Sequence, residues 1–391
     1  MPKDMPPETT PRDILRRLVG FPTVSRDSNL DLIDWVEAWL AARGIESRRV
    51  HDDTGAKASL YAHVGPMEPG AVLLSGHVDV VPVDGQDWAS DPWTLTERDG
   101  RLYGRGTCDM KGFDALALWA MGEAAGRDLK RPLQIALTRD EEIGLLAPPG
   151  LVADMDERLP RADTVIVGEP TSMGVVTAHK GGLGFEVHVR GFEIHSSLMH
   201  RGVSAVMEAA RLIQWANERN EALAAAEPGG VAAAFDPPRT TLHVGVVEGG
   251  TAHNITAASC RFGLTIRTLP DDDSDAWEAE FRAECARVEA AMQAVRPEAR
   301  IEVTRRFLGP GLSPEEGGAA EALARRITGD NGTRVVSYGT EAGHFQAAGR
   351  SVAVCGPGSI DQAHQPDEFI EIEQLEKGQD FMRRLLDTLE A

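Results

Sequence analysis

Four short apolar runs in this chain lead into a histidine or a carboxylate. Ala71-Val72-Leu73-Leu74-Ser75 leads into Gly76-His77-Val78-Asp79, and Leu133–Thr138 leads into Asp140-Glu141-Glu142. Thr164–Val167 leads into Gly168-Glu169, and Ser351–Cys355 is followed by Asp361-Gln362-Ala363-His364. Apolar runs this short fit strands buried on both faces, which need helices above and below. The segments between them supply helices. Thr10-Pro11 reads as an N-cap and first helical residue for a helix over Arg12–Val19. A second, Asn29–Arg43, places Leu32, Val36, Trp39 and Leu40 at helical spacing and stops at Gly44. Asp114–Ala125 is a third, and Ile372–Leu389 closes the chain with Leu375, Phe381, Met382, Leu385 and Leu389 inward. With further strands at Ser47–Val50 and Ser59–Val64, the alternation predicts an α/β domain. Its sheet is mixed, mostly parallel and flanked by helices.

From about Gly182 the pattern changes. Phe185–Val189 alternates like a half-exposed strand, and a long helix covers Ser204–Ala224. Strands follow at Thr241–Val247 and Ala258–Thr268, then a helix at Asp275–Met292 and a strand at Ile301–Phe307. This β-α-β-β-α-β order is the split βαβ, ferredoxin-like arrangement, a small domain complete in itself. Ala225–Pro238, rich in Ala, Gly and Pro, reads as an exposed loop within it. Leu323–Thr328, Arg334–Ser337 and Ser351–Cys355 then resume the first pattern. The predicted organisation is one domain from residues 1–181 and 309–391, with residues 182–308 inserted. A length of 391 residues suits two domains.

The formal charge of −21 argues against nucleic acid and anionic membrane surfaces as partners. Cys108, Cys260, Cys285 and Cys355 are scattered, with no C-x-x-C, so neither a disulfide framework nor a thiolate zinc site is expected. Met1-Pro2-Lys3-Asp4-Met5-Pro6-Pro7 has no apolar signal core, and no apolar run is long enough to span a membrane. A reducing cytoplasm is the expected compartment. There is no G-x-x-x-x-G-K-[ST], G-x-S-x-G or H-E-x-x-H.

In an open α/β sheet, ligands bind outside the carboxyl ends of the strands. His77, Asp79, Glu141, Glu142, Glu169 and His364 all fall there, and Asp109 lies in a glycine-bracketed loop before a helix. Any one of them alone is an ordinary cap or solvated loop residue. So many at one sheet edge point to metal ions held by imidazole and carboxylate.

The motifs carrying these residues resemble those of a known family. They are Ser75-Gly76-His77-Val78-Asp79-Val80-Val81-Pro82, Gly104-Arg105-Gly106-Thr107-Cys108-Asp109-Met110-Lys111-Gly112, Asp140-Glu141-Glu142 and Gly168-Glu169-Pro170. The family is that of the di-zinc acetylornithine deacetylases and succinyl-diaminopimelate desuccinylases, with aminoacylase and carboxypeptidase relatives. Other stretches resemble the acetylornithine deacetylase branch. They are Gly168–Met173, Ala178-His179-Lys180-Gly181, Gly339-Thr340-Glu341-Ala342-Gly343-His344-Phe345, and Gly356–Ile360 leading to Ala363-His364-Gln365-Pro366-Asp367-Glu368.

The resemblance implies two Zn²⁺ ions, with Co²⁺ or Mn²⁺ as possible substitutes. Asp109 would bridge them, His77 and Glu169 completing one set of ligands and His364 and Glu142 the other. Charge counting agrees: three carboxylates and a bridging hydroxide balance two dications. Glu141 would then be the general base, and Asp79 the carboxylate that orients His77 or tunes Glu141. His195, in a lid and dimerisation domain, would reach the substrate carbonyl, in some family members from the partner subunit. Asn254, Arg267 and Glu341 are the expected substrate contacts, with His179, His253 and His344 candidates to line the pocket. The implied activity is hydrolysis of N2-acetyl-L-ornithine to L-ornithine and acetate by a homodimer. The alternatives are N-succinyl-diaminopimelate, another N-acyl amino acid or a dipeptide as substrate, or a non-catalytic binding protein on the same fold.

Overall fold

The computed structural model describes residues 9–391. The N-terminal expectation for Met1–Pro7 therefore lies outside the described residues. Among the described residues, no helix is long and apolar enough to cross a membrane.

The chain divides into two compact units. One runs to Ala178 and resumes at Pro314–Val335 and Thr340–Ala391, and the other comprises His179–Ser313 with Val336–Gly339. The first unit opens with α1 (Pro11–Val19), where the Thr10 hydroxyl accepts the Asp13 amide. It continues through α2 (Leu30–Ala41), β1 (Ser47–His51), β2 (Ala58–Val64), β3 (Val72–His77), α3 (Lys111–Ala124), β4 (Leu133–Thr138), α4 (Pro148–Arg158) and β5 (Thr164–Pro170). The second unit holds β6 (Gly181–Arg190), α5 (Ala205–Ala225), β7 (Thr241–Gly249), β8 (Ser259–Thr268), α6 (Ser274–Gln293) and β9 (Arg300–Gly309). The first unit resumes with α7 (Ala319–Thr328), α8 (Ala342–Ala347), β10 (Ser351–Gly356) and α9 (Ile372–Glu390).

The six-stranded sheet of the first unit has the order β1-β2-β4-β3-β5-β10. Its last four strands are parallel, and β2 and β1 join antiparallel at one edge. The sheet is thus mixed and mostly parallel. β3, β4 and β5 are buried along their whole length, as their continuous apolar sequences require. Helix α3 is buried on nearly every side, and α9 lays Leu375, Phe381 and Leu385 into the same core. Each such side chain contributes about 1.5–3 kcal/mol by burial. Lys111, fully buried at the start of α3, donates from Nζ to the Leu18 and Phe21 carbonyls at 3.1 and 2.8 Å. It thereby adds a second donor to two carbonyls at and just beyond the end of α1, which also accept the Phe21 and Thr23 amides. Burial lowers its pKa to about 7.

Several details differ from the sequence reading, and α8 is one element it did not contain. Helix α4 went unforeseen because Pro148-Pro149-Gly150 looks like a loop, although proline suits a helix's first turn. The strand expected at Arg334–Ser337 is reduced to Val335–Val336.

In the second unit all neighbours in the sheet β7-β8-β6-β9 are antiparallel. Its core joins β6, β8, α5 and α6, with Phe281 packed between Trp215 and Phe185 at ring centroid separations of 5.4 and 5.2 Å. Residues of β8 alternate between buried and exposed, the mark of a sheet covered on one face.

The parallel pair β5 and β10 closes tightly where the strands end. A Cβ on Gly356 would lie 1.9 Å from the Gly168 carbonyl oxygen, a backbone atom that no rotamer change can move. Gly356→Ala should therefore cost about 3 kcal/mol or more in urea unfolding. Gly150→Ala, in α4 with open space around it, should gain about 0.5–1 kcal/mol.

Candidate metal centre

His77 is the last residue of β3, at the middle of the sheet, and is buried. Its Nδ1 donates to the Asp79 carbonyl at 2.9 Å, which fixes the tautomer and leaves the Nε2 lone pair facing inward. Nε2 lies 3.0 Å from Asp109 Oδ1 and 3.8 Å from Glu169 Oε1, at the end of β5. The other oxygen of Asp109, Oδ2, lies 3.2 Å from His364 Nε2. That imidazole is 3.0 Å from Glu142 Oε2 and stands on a rim loop where its own φ is +63°. One carboxylate thus faces a different histidine with each oxygen.

Beyond Thr138 the chain turns sharply. Asp140 takes a φ of +59°, and its carboxylate is held by Lys57 Nζ at 2.5 Å and by Arg139. The turn aims the amides of Glu141 and Glu142 at the Asp79 carboxylate, 3.1 and 3.4 Å away. It also lets two adjacent glutamates approach one site, which an extended strand would forbid. Metal-capable donor atoms of His77, Glu141 and Glu169 lie within 4.8 Å of one another, as do those of His77, Asp109 and Glu142.

The charges explain one another. Burial raises Glu141 and Glu169 well above the usual carboxylate range and Glu142 to about 7, and the neighbouring acids, Asp109 among them, reinforce it. Asp109 goes the other way: despite its burial, hydrogen bonds with His364 and His77 hold it low. The Asp109 and Glu142 carboxylates lift His364 to about 10. This is a concentration of negative charge that either protons or bound cations relieve. Converging imidazole and carboxylate lone pairs at these separations suit divalent ions bound by nitrogen and oxygen.

One sequence expectation is narrowed to its second branch, the tuning of Glu141 by Asp79, and one is corrected. The carboxylate of Asp79 does not orient His77: its nearer oxygen is 3.8 Å from Nδ1, and the backbone carbonyl holds the ring instead. The carboxylate takes the Glu141 and Glu142 amides and the Ser25 hydroxyl at 2.7 Å. Glu341 is not presented to a substrate. It is fully buried, with Oε1 accepting from Ser75 Oγ at 2.5 Å and Oε2 from Thr138 Oγ1 at 2.7 Å, between β3 and β4.

Three other expected residues lie in the second unit. His195 is exposed, with Nδ1 2.8 Å from Ser197 Oγ, and Asn254 is its neighbour through the Ser196 amide to Asn254 carbonyl bond of 2.8 Å. Arg267 is exposed near the far end of β8, paired with Gly182 where the chain enters the unit. His179 is buried, His253 exposed and His344 partly buried. Sequence reasoning missed Asp140 with its Lys57 partner, and Glu368, which accepts the Asp109 amide at 3.1 Å. A carboxylate that accepts from a distant lysine or from backbone amides follows no sequence period, so neither gave a signal.

The sequence profile of peptidase family M20/M25/M40 matches residues 73–388. The chain belongs to that family. It is similar to the acetylornithine deacetylase of Myxococcus xanthus, 39% identical over 93% of each chain, and to that of Proteus mirabilis, 33% identical over 96% of each. Its fold is similar to that of an M20 family metallo-carboxypeptidase from Sulfolobus solfataricus, with a TM-score of 0.77 at 18% identity, covering 96% of this chain and 98% of the other. As an M20 member with these relatives, the chain is a metal-dependent hydrolase.

Replacing Asp79 by Ala removes the acceptor for both glutamate amides. In metal-free protein, hydrogen exchange in a peptide spanning residues 139–146 should quicken by roughly 10–100-fold, from about 1.5–3 kcal/mol of lost charge-assisted bonding. A peptide from α3 should exchange as in the wild type.

Proposed function

We propose that this chain is a two-zinc amide hydrolase that converts N2-acetyl-L-ornithine and water to L-ornithine and acetate. The observation that carries the two-metal reading is Asp109, whose oxygens face His77 and His364 separately at 3.0 and 3.2 Å. The names of the relatives, at 39% and 33% identity over nearly the whole length, support the substrate. In this reading His77, Asp109 and Glu169 would hold one ion, and His364, Asp109 and Glu142 the other. Cobalt or manganese would suit the same donors. Bound there, the metal pair would supply a Lewis acid for the acyl carbonyl and make water acidic enough to deprotonate near neutral pH.

Glu141 is then the carboxylate not needed for binding. It takes a proton from water as the water oxygen bonds to the acyl carbon, and returns it to the α-nitrogen as the C–N bond breaks. Asp79 holds the Glu141 amide and so sets where that base stands. His195 donates a hydrogen bond to the carbonyl oxygen as it gains charge, with Asn254 beside it. Arg267 grips the α-carboxylate.

The second unit gives this assignment a geometric condition. His195 and Asn254 sit beyond the start of β8, and Arg267 near its end. From Ser259 to Arg267 alone the strand spans roughly 26 Å at about 3.3 Å per residue. An acylated amino acid cannot touch both groups on one chain. In this reading residues 182–308 act as a dimerisation domain, and His195 serves the site of the partner subunit. An exposed edge strand supports such pairing: β7 carries Val246 and Val247 at 61% and 50% exposure, and α5, packed on it, carries Met207 at 56%. Four buried, unpaired cysteines suit a cytoplasmic place.

In purified protein, stripping metal should abolish activity, and Zn²⁺ or Co²⁺ should restore it. Glu141→Ala should lower kcat by about 10²–10⁴-fold while two ions per chain remain bound. Among N2-acetyl-L-ornithine, N-succinyl-diaminopimelate, other N-acyl amino acids and dipeptides, kcat/KM should favour the first by about tenfold or more. A different winner would move the chain to another branch of the family. Light scattering should give twice the 42.2 kDa chain mass. Co-refolding His195→Ala with Glu141→Ala should recover about a quarter of wild-type activity, since half the dimers are mixed and each has one intact site. No recovery would place His195 in its own chain's site.

A further inference from the structure

Glu368 is 1% exposed and takes four hydrogen bonds. Oε1 accepts the Cys108 and Asp109 amides at 2.9 and 3.1 Å, and Oε2 accepts the Gly106 amide at 3.0 Å and Arg105 Nη1 at 2.7 Å. Three amides within four residues converge on one anion, an arrangement known as a nest. The φ of +81° at Gly106 helps turn them inward. Arg105 is equally buried and reaches further. Its Nη2 donates to Gln86 Oε1 at 2.6 Å, and Gln86 Nε2 donates to the His364 carbonyl at 3.0 Å. An unbroken polar chain therefore runs from the Asp109 amide through Glu368, Arg105 and Gln86 to the backbone of His364. Asp109 and His364 are far apart in sequence and stand on separate loops, so their spacing needs a connection of this kind.

We propose that Glu368, Arg105 and Gln86 are positioning residues that set the distance between Asp109 and His364, and with it the affinity of the ion those two would share with Glu142. The proposal rests on the two-metal reading. Asp109 would serve both ions, but His77 is fixed by β3 and by the Asp79 carbonyl and Gln86 reaches His364, so loss of Gln86 bears mainly on the ion that His364 would hold. Gln86 is partly exposed on a loop, so its replacement leaves the core intact.

The test is Zn²⁺ binding to metal-stripped full-length protein, by calorimetry and by metal content at buffered free Zn²⁺, with circular dichroism as the control for folding. Wild type should bind two ions. Gln86→Leu should keep the first at unchanged Kd and weaken the second by roughly 10–100-fold, the range for losing a group that orients a ligand. Gln86→Glu, which keeps the acceptor for Arg105 but loses the donor to His364, should fall between. Glu368→Gln should weaken the second ion at least as much as Gln86→Leu. Wild-type affinity for both ions in Gln86→Leu would overturn the proposal, as would equal weakening of both, which marks general loosening. Failure of the wild type to bind two ions would instead overturn the two-metal reading beneath it.

Discussion

The structure turns on the repulsion among carboxylates gathered at one sheet edge. Asp109 and Glu169 are buried, the Glu142 side chain is 7% exposed, and Glu141 stands beside them. In water four such groups would stay apart; here the protein holds them together before any cation arrives. The holding is done from behind, largely by other carboxylates. Asp79 gathers the amides of Glu141 and Glu142, and Glu368 gathers those around Asp109. An anion that accepts backbone amides fixes a loop without needing a place in the site. The hydrophobic layers of α3, α9 and the sheet make those loops' foundations rigid.

Much of this was legible in the sequence, because a buried strand announces itself. A run that is apolar on both faces must end where polarity resumes, and at that end stand His77, Glu169 and, one turn later, Glu141 and Glu142. The β-α-β-β-α-β order of the second unit could be read for the same reason, from a period of two giving way to 3.6. What stayed hidden were features with no period. The left-handed turn at Asp140 is accompanied by an ion pair to Lys57, far back in the chain. The burial of Glu341 depends on hydroxyls from two strands, and its neighbourhood in sequence looked like that of a substrate contact. For Asp79 the sequence offered two roles, orienting His77 or tuning Glu141; its carboxylate holds the Glu141 amide, while its backbone carbonyl holds the imidazole.

The second unit shows how a short sheet can separate side chains. Its helices cover one face, and its edge strand β7 is left with exposed valines. His195 lies beyond one end of β8 and Arg267 near the other. A strand is a ruler, and its length keeps these two groups apart.

The first unit is discontinuous, and this has a consequence for how the molecule is made. β10 completes the six-stranded sheet beside β5, and α9 lies against α3, although each pair is separated by the whole of the second unit. Residues 179–313 form a nearly contiguous body and can fold while the ribosome is still working. The first unit cannot close until its last segments emerge. His364 is among the last groups to arrive, after His77, Asp109, Glu142 and Glu169 have long been synthesised. A centre that includes His364 is therefore brought together only after β10 and the loop behind it have emerged.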